Sequence, residues 1–245
     1  MKKAYKRIFL HGWATNTGIW QGMAEKDIAL PLPGHGSPKV WKEATLKPAI
    51  DELAAGLKGE KNVVGIGWSL GGEVLIEAAS SKAVHFKALV LIGVSPCFTI
   101  KDDFQWAQKK STVKRMLMDL KGDFPGTLAR FYSLNFTKEE LEGEKAVTFV
   151  KRMNEGISLL HKESVINSLK TLMDSDLRGK LSSLKIPVLI VHGKRDAITP
   201  VQAALYINEN IENSSLCVFE SSGHAPFITE PEKFTAMVNG FTEGL

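Results

Sequence analysis

The stretch GIGWSLGG (65–72) decides how this chain is read. It sets one serine, Ser69, among glycines at the end of the apolar run NVVGIGWS (62–69) and just ahead of the helix-like GGEVLIEAASS (71–81). A strand that enters a helix through so sharp a turn forces an unfavourable backbone conformation on the serine, and glycines on both sides relieve the crowding. Such a turn presents the hydroxyl to a ligand. Alone, G-x-S-x-G is a weak pattern, met by chance in roughly one chain in ten of this length. Its position between a strand and a helix gives it weight.

The remaining apolar runs supply the frame. RIFLHG (7–12), IALPLPGHG (28–36), ALVLIGVSP (88–96), PVLIVHGKRD (187–196) and SLCVFESSGH (215–224) are of strand length and mostly continuous rather than alternating. Continuous apolar strands belong to a parallel sheet covered by helices on both faces. Helix-like segments lie between several of them, including PVQAALYINEN (200–210) with Pro200 at its start. The expectation is an α/β fold, mostly parallel, with about six strands. From Phe98 to Leu184 the rhythm stops, and only helix-like segments follow: FQWAQKKSTVKRMLMDL, PGTLARFYSL, KEELEGEKAVTFVKRM and GISLLHKESVINSLKTLM. Residues 1–97 and 185–245 are therefore expected to form the core. Residues 98–184 are expected to form a helical cap over the carboxyl ends of the strands, where open α/β sheets bind ligands.

Composition narrows the function. With 245 residues, 44% hydrophobic and 24% charged, the chain has material for one large packed domain. A net charge of +4 falls far short of the clustered excess of a nucleic-acid binder. The opening MKKAYKRIFLHGW is basic, but its apolar run is only IFL, where a secretory signal needs about 7–15 residues. No run of about 18 apolar residues offers a membrane span, so a cytoplasmic protein is expected. Cys97 and Cys217 match no metal-ligand spacing and read as buried free thiols.

A serine hydroxyl near neutral pH needs a base within hydrogen-bond reach, and the base needs a carboxylate to orient it. His224, in SSGHAPF directly after the last apolar run, is placed to reach over the sheet end. The other histidines fit less well. His85 and His161 sit in polar or helical surroundings, His35 in the turn PGHGSP and His192 in or at the end of a strand. Asp196, in HGKRDAITP between the fifth run and a helix start, is the candidate acid; a turn or cap aspartate is its plainer reading. Asp174 and Asp176 are rivals at the end of a cap helix. For a developing oxyanion, the backbone N–H of Leu70, next to the serine, and that of Trp13, in HGW after the first run, are the candidate donors.

These pieces, from HGW through PLPGHGS, GWSLGG and HGKRDAITP to GHAPF, resemble the α/β-hydrolase superfamily over nearly the whole chain, with its order of Ser69, Asp196 and His224. Trp20 after HGW, GWSLGG, SPCF (95–98), ARF (129–131) and HAPFI (224–228) narrow the resemblance to the pimeloyl-acyl-carrier-protein methyl ester esterases. The resemblance implies a serine carboxylesterase that needs no cofactor or metal and cleaves a methyl ester from an acyl chain carried on an acidic protein. It implies that Trp68, Phe98, Phe131 and Phe227 wall the acyl chain, and that Arg130 and other cap cations meet the carrier. Lys109, Lys110, Lys114, Arg115 and Lys121 stand against Asp119 alone in that stretch, while Gly126 stands where another cation is expected. A general short-chain esterase, a carbon–carbon hydrolase or menaquinone-pathway lyase, and a hydrolase-fold ligand receptor remain as alternatives. Members of the superfamily usually begin with two strands before the oxyanion loop, and this chain reaches HGW by residue 11, so its sheet is expected to lack that edge hairpin.

Overall fold

The computed structural model describes residues 5–24 and 27–245; the basic start, Met1–Ala4, lies outside them. Six strands form one sheet: β1 (Lys6–Leu10), β2 (Ile28–Leu30), β3 (Val63–Trp68), β4 (Phe86–Ile92), β5 (Val188–Gly193) and β6 (Ser214–Phe219). Their order is β2-β1-β3-β4-β5-β6 and every neighbouring pair is parallel. Every residue of β3 and β5 is buried, as their continuous apolar sequences require of central strands, whereas the edge strands β2 and β6 are mostly half-buried.

This order contains one reversal. The chain leaves β1 for the β2 edge, then returns past β1 to build β3 and the rest in the opposite direction. A crevice opens at the carboxyl ends of the strands on either side of such a reversal, which here are β1 and β3. HGW follows β1 and Ser69 follows β3. Strand order therefore brings together two sequence features that lie more than fifty residues apart.

The helices are α1 (Lys47–Gly56), α2 (Leu70–Ser80), α7 (Val201–Asn210), α8 (Pro226–Thr229) and α9 (Pro231–Glu243) around the sheet, and α3 (Lys110–Gly122), α4 (Phe124–Leu134), α5 (Glu144–Glu155) and α6 (Lys162–Asp174) between β4 and β5. None is long and apolar enough among the described residues to cross a membrane. Three of the expected helical segments differ in part from the sequence reading. Residues 104–109 fold back instead of coiling: Gln108 N–H donates to Phe98 O and Ile100 N–H to Gln108 O, while the Phe104 ring is buried in a small cluster with Cys97 and Ala203. Residues 138–143 and 156–161 hold short 3₁₀ turns in place of continuous helix. Cys97 is buried as expected; Cys217, on the edge strand β6, is only half-buried.

The helical segment is bolted to the core by buried polar bonds. Trp13 Nε1–H donates to Val165 O at 2.9 Å and the Tyr132 hydroxyl to Ala14 O at 2.8 Å. His161 N–H donates to Gly34 O at 2.8 Å, and Trp41 N–H to the Ser164 hydroxyl at 2.9 Å.

Close backbone approach sets the turn after β3. A Cβ on Gly71 would stand 2.6 Å from Leu10 O and 2.7 Å from His11 O, and one on Gly67 would stand 2.7 Å from Gly71. Two carbonyls cannot swing away without moving β1. Gly71→Ala is therefore expected to lower stability by about 1–3 kcal/mol in chemical denaturation. Gly240→Ala, where a Cβ meets nothing within 4 Å inside α9, should raise it by about 0.5–1 kcal/mol. Equal effects at the two sites would contradict the close-approach account.

Candidate active site

Ser69 has φ 52° and ψ −118°, a conformation that costs a non-glycine residue about 1–3 kcal/mol. It is held by hydrogen bonds on both sides of the peptide. Ser69 N–H donates to Ile92 O at 2.8 Å, and Ser69 O accepts from Gly72 N–H at 2.9 Å and Glu73 N–H at 3.2 Å. The residue keeps partial exposure, and among the described residues its Oγ makes no hydrogen bond.

The loop after β1 is shaped by His11. Its Nδ1 lies 2.8 Å from Gly12 O and its Nε2 accepts from Leu32 N–H at 3.0 Å, so the neutral ring carries its proton on Nδ1. Thr15 Oγ1 also donates to Gly12 O. Trp13 N–H and Leu70 N–H donate to no acceptor among the described residues. Two idle N–H groups, one at each side of the crevice, are what an anionic oxygen needs.

The third wall comes from the loops after β5 and β6. A Cβ on Gly193 would run into the carbonyls of Ser222 and Gly223, so only glycine lets these loops meet. Where they meet, His224 Nδ1 lies 2.6 Å from Asp196 Oδ2, both side chains buried. This bond puts the His224 proton on Nδ1 and leaves Nε2 to accept. Asp196 Oδ1 accepts from Ile198 N–H at 2.8 Å and Thr199 N–H at 2.9 Å. Burial alone would raise the pKa of this carboxyl, but the two histidines that face it, His224 above all, hold it well below the usual range. His224 itself is pinned at both ends of its backbone. Its N–H donates to Asn135 O at 2.8 Å, and its carbonyl accepts from Trp68 Nε1 at 2.9 Å.

The rival residues are engaged elsewhere. Asp174 pairs with Lys110 and Asp176 with Arg178. His85 is exposed, His161 caps α6 by accepting from Ser164 N–H, and His35 is buried beside His11. His192 contacts Asp196, which its strand position alone did not show. Of the aromatic residues expected along an acyl chain, Trp68 (1% exposed) and Phe227 (0%) pack in the core. The Phe227 ring meets Trp20, Trp68 and Phe234, and the Trp68 ring backs His224. Phe98 and Phe131 stay half-buried, Phe131 edge-on to Trp13 at 4.7 Å. Arg130 points outward, its side chain 64% exposed and 3.8 Å from Asp123. Asn135 and Glu140, which donate no sequence motif, also support the site: Glu140 Oε2 accepts from Gly223 N–H at 3.0 Å. No group of three or more His, Cys, Asp or Glu among the described residues is arranged to hold a metal ion.

Comparison with known proteins gives the family of this fold. Residues 8–231 match the family described as alpha/beta hydrolase fold. The chain belongs to that family. It is 33% identical over 235 residues to a pimeloyl-[acyl-carrier protein] methyl ester esterase of Nitrosomonas europaea, covering 94% of this chain and 92% of the relative. A protein of the same name from Nitrosospira multiformis is 28% identical over 96% of this chain and 93% of its own length. An esterase structure from Exiguobacterium antarcticum superposes with a TM-score of 0.87 at 26% identity, covering 99% of this chain and 93% of that one. This α/β hydrolase has six parallel strands in one sheet among its described residues.

Buried titratable groups at the site make folding pH-dependent. Burial, then the neighbouring His35, lowers the His11 pKa to about 3, and burial lowers that of His35 to about 4. Burial raises the Glu73 pKa to about 8, and its Oε2 has no partner. Below pH 6.5 the unfolded chain binds protons that the folded histidines refuse, so stability falls as pH drops toward 4. Above pH 4.5 the unfolded chain releases a proton that folded Glu73 keeps, so stability falls as pH rises toward 8. A stability maximum near pH 6 to 7 is expected in thermal melts. Glu73→Gln should flatten the alkaline side and His35→Asn should soften the acid side; slopes unchanged by both would refute these assignments.

Proposed function

We propose that this carboxylic ester hydrolase works through Ser69 as nucleophile, His224 as general base and then acid, and Asp196 as the partner of His224. The observation that carries the reading is the convergence of a strained, unbonded serine, two idle N–H groups and an Asp196–His224 pair at the carboxyl ends of β1, β3, β5 and β6. On binding of an ester, His224 Nε2 takes the Ser69 proton as Oγ attacks the carbonyl carbon. Leu70 and Trp13 N–H stabilise the oxygen that becomes negative, in a site where such donors need no reorganisation. The imidazolium returns its proton to the departing alkoxide, which leaves as alcohol. Water, deprotonated by His224, then cleaves the acyl-enzyme. Every step is proton and acyl transfer, which these residues complete without a cofactor.

The relatives' names point to the substrate: the methyl ester of a pimeloyl chain on acyl-carrier protein, with methanol leaving. The helical segment supports a carrier-bound substrate. On and beside α3, Lys109, Lys114 and Lys121 have no carboxylate partner among the described residues, and Met118 is 68% exposed among them. Cations around an apolar contact suit an acidic protein surface. Arg130 extends this row, residues 98–184 roof the site, and Phe98 and Phe131 are the aromatic residues left to line the acyl chain.

Demethylation of methyl pimeloyl-acyl-carrier protein, assayed beside p-nitrophenyl butyrate, tests the reading. Ser69→Ala should lower kcat by about 10⁴-fold or more on both. Lys114→Glu with Lys121→Glu should raise KM about tenfold or more for the carrier-bound ester and leave the free ester unchanged. Turnover of free esters alone would make the chain a general short-chain carboxylesterase, and turnover of neither would favour the lyase and ligand-receptor alternatives.

A further inference from the structure

Asp196 Oδ2 faces two histidines. His224 Nδ1 lies at 2.6 Å and His192 Nε2 at 3.3 Å, and Thr199 Oγ1 approaches the same oxygen at 2.8 Å. All four side chains are buried. The Thr199 hydroxyl also lies 3.0 Å from Gly93 O and 3.2 Å from His224 Nδ1. Gly93 O and Asp196 Oδ2 only accept, so the single hydroxyl proton serves one of them at a time, and the shorter, charge-assisted contact to Oδ2 takes it.

His192 secures the other side of Thr199. Its Nε2 lies 2.6 Å from Thr199 O, so Nε2 carries the hydrogen and donates it. Its Nδ1 is buried without a partner among the described residues. An unpartnered polar atom costs about 1–3 kcal/mol, which an apolar side chain of similar size would avoid. The imidazole at this position is explained by the bond that Nε2 makes.

A carboxylate on a one-turn loop can rotate and offer either oxygen. Two backbone N–H groups engage Oδ1, and the Thr199 hydroxyl is the side chain that engages Oδ2 besides the histidines. We propose that Thr199 and His192 are positioning residues of this active site: His192 holds the Thr199 carbonyl, and the Thr199 hydroxyl keeps Asp196 Oδ2 on His224 Nδ1 while His224 gains and loses its proton. This rests on the assignment of Ser69, His224 and Asp196 above. Neither residue touches substrate.

Hydrolysis of p-nitrophenyl butyrate by Thr199→Val and Thr199→Ser across pH tests it, with Ser69→Ala alongside. In Thr199→Val, Oδ2 drifts from His224 and stabilises the imidazolium less. Its kcat is expected to fall about tenfold with KM within about twofold, and the acid limb of kcat/KM to move down by about half a pH unit. Thr199→Ser should recover kcat to within about threefold of wild type. His192→Leu should repeat the loss and His192→Gln, whose amide can donate to the same carbonyl, should recover it; this pair decides the matter if Thr199→Val does not fold. An unmoved acid limb with kcat retained, or serine and glutamine variants no better than valine and leucine, would overturn the proposal. Activity surviving in Ser69→Ala would instead overturn the reading on which it rests.

Discussion

The backbone at Ser69 is the constraint around which the molecule is built. A residue at φ 52° and ψ −118° returns to a relaxed conformation unless its neighbours forbid it. Here the Ile92 carbonyl and the first turn of α2 hold its peptide groups, each bond contributing about 0.5–1.5 kcal/mol. Gly67 and Gly71 allow β3, α2 and the end of β1 to meet at backbone distance. The same contact that fixes Ser69 sets the loop carrying Trp13 beside it, so the proposed nucleophile and the proposed oxyanion donor share one piece of packing.

The helical segment between β4 and β5 holds parts of the core in place. Asn135 O holds the His224 amide and Glu140 holds that of Gly223, while Val165 O and the Tyr132 hydroxyl hold the Trp13–Ala14 turn. Burial pushes the Tyr132 hydroxyl pKa up, so it remains a donor throughout the working pH range. Two of the three walls of the site thus take their position partly from residues 124–174. Displacing these helices would disturb His224 and the loop carrying Trp13 together.

Much of this was legible in the sequence because its causes are local. Continuous apolar runs reported buried parallel strands, and glycines around Ser69 reported a turn that only close packing needs. Other features depend on contacts across the fold. Residues 104–109 have a helix-like sequence, yet pairing with residues 98–100 and burial of Phe104 outweigh that propensity. Trp68 and Phe227 look like pocket aromatics, but their neighbours are other rings of the core. His192 precedes Asp196 by four residues in HGKRD, but their contact depends on how the loop after β5 turns back, and no motif marks the Thr199 hydroxyl beside Asp196 Oδ2. Asn135 acts through its backbone, which no side-chain pattern reports.

The central claim is that the strained hydroxyl of Ser69 is the nucleophile, and covalent capture tests it most directly. The chain would be incubated with a fluorophosphonate, its intact mass measured, and the modified peptide located after proteolysis. One adduct per chain on the peptide that contains Ser69, absent in Ser69→Ala, is the predicted result. No adduct on a folded chain, or an adduct that persists in Ser69→Ala, would contradict the account.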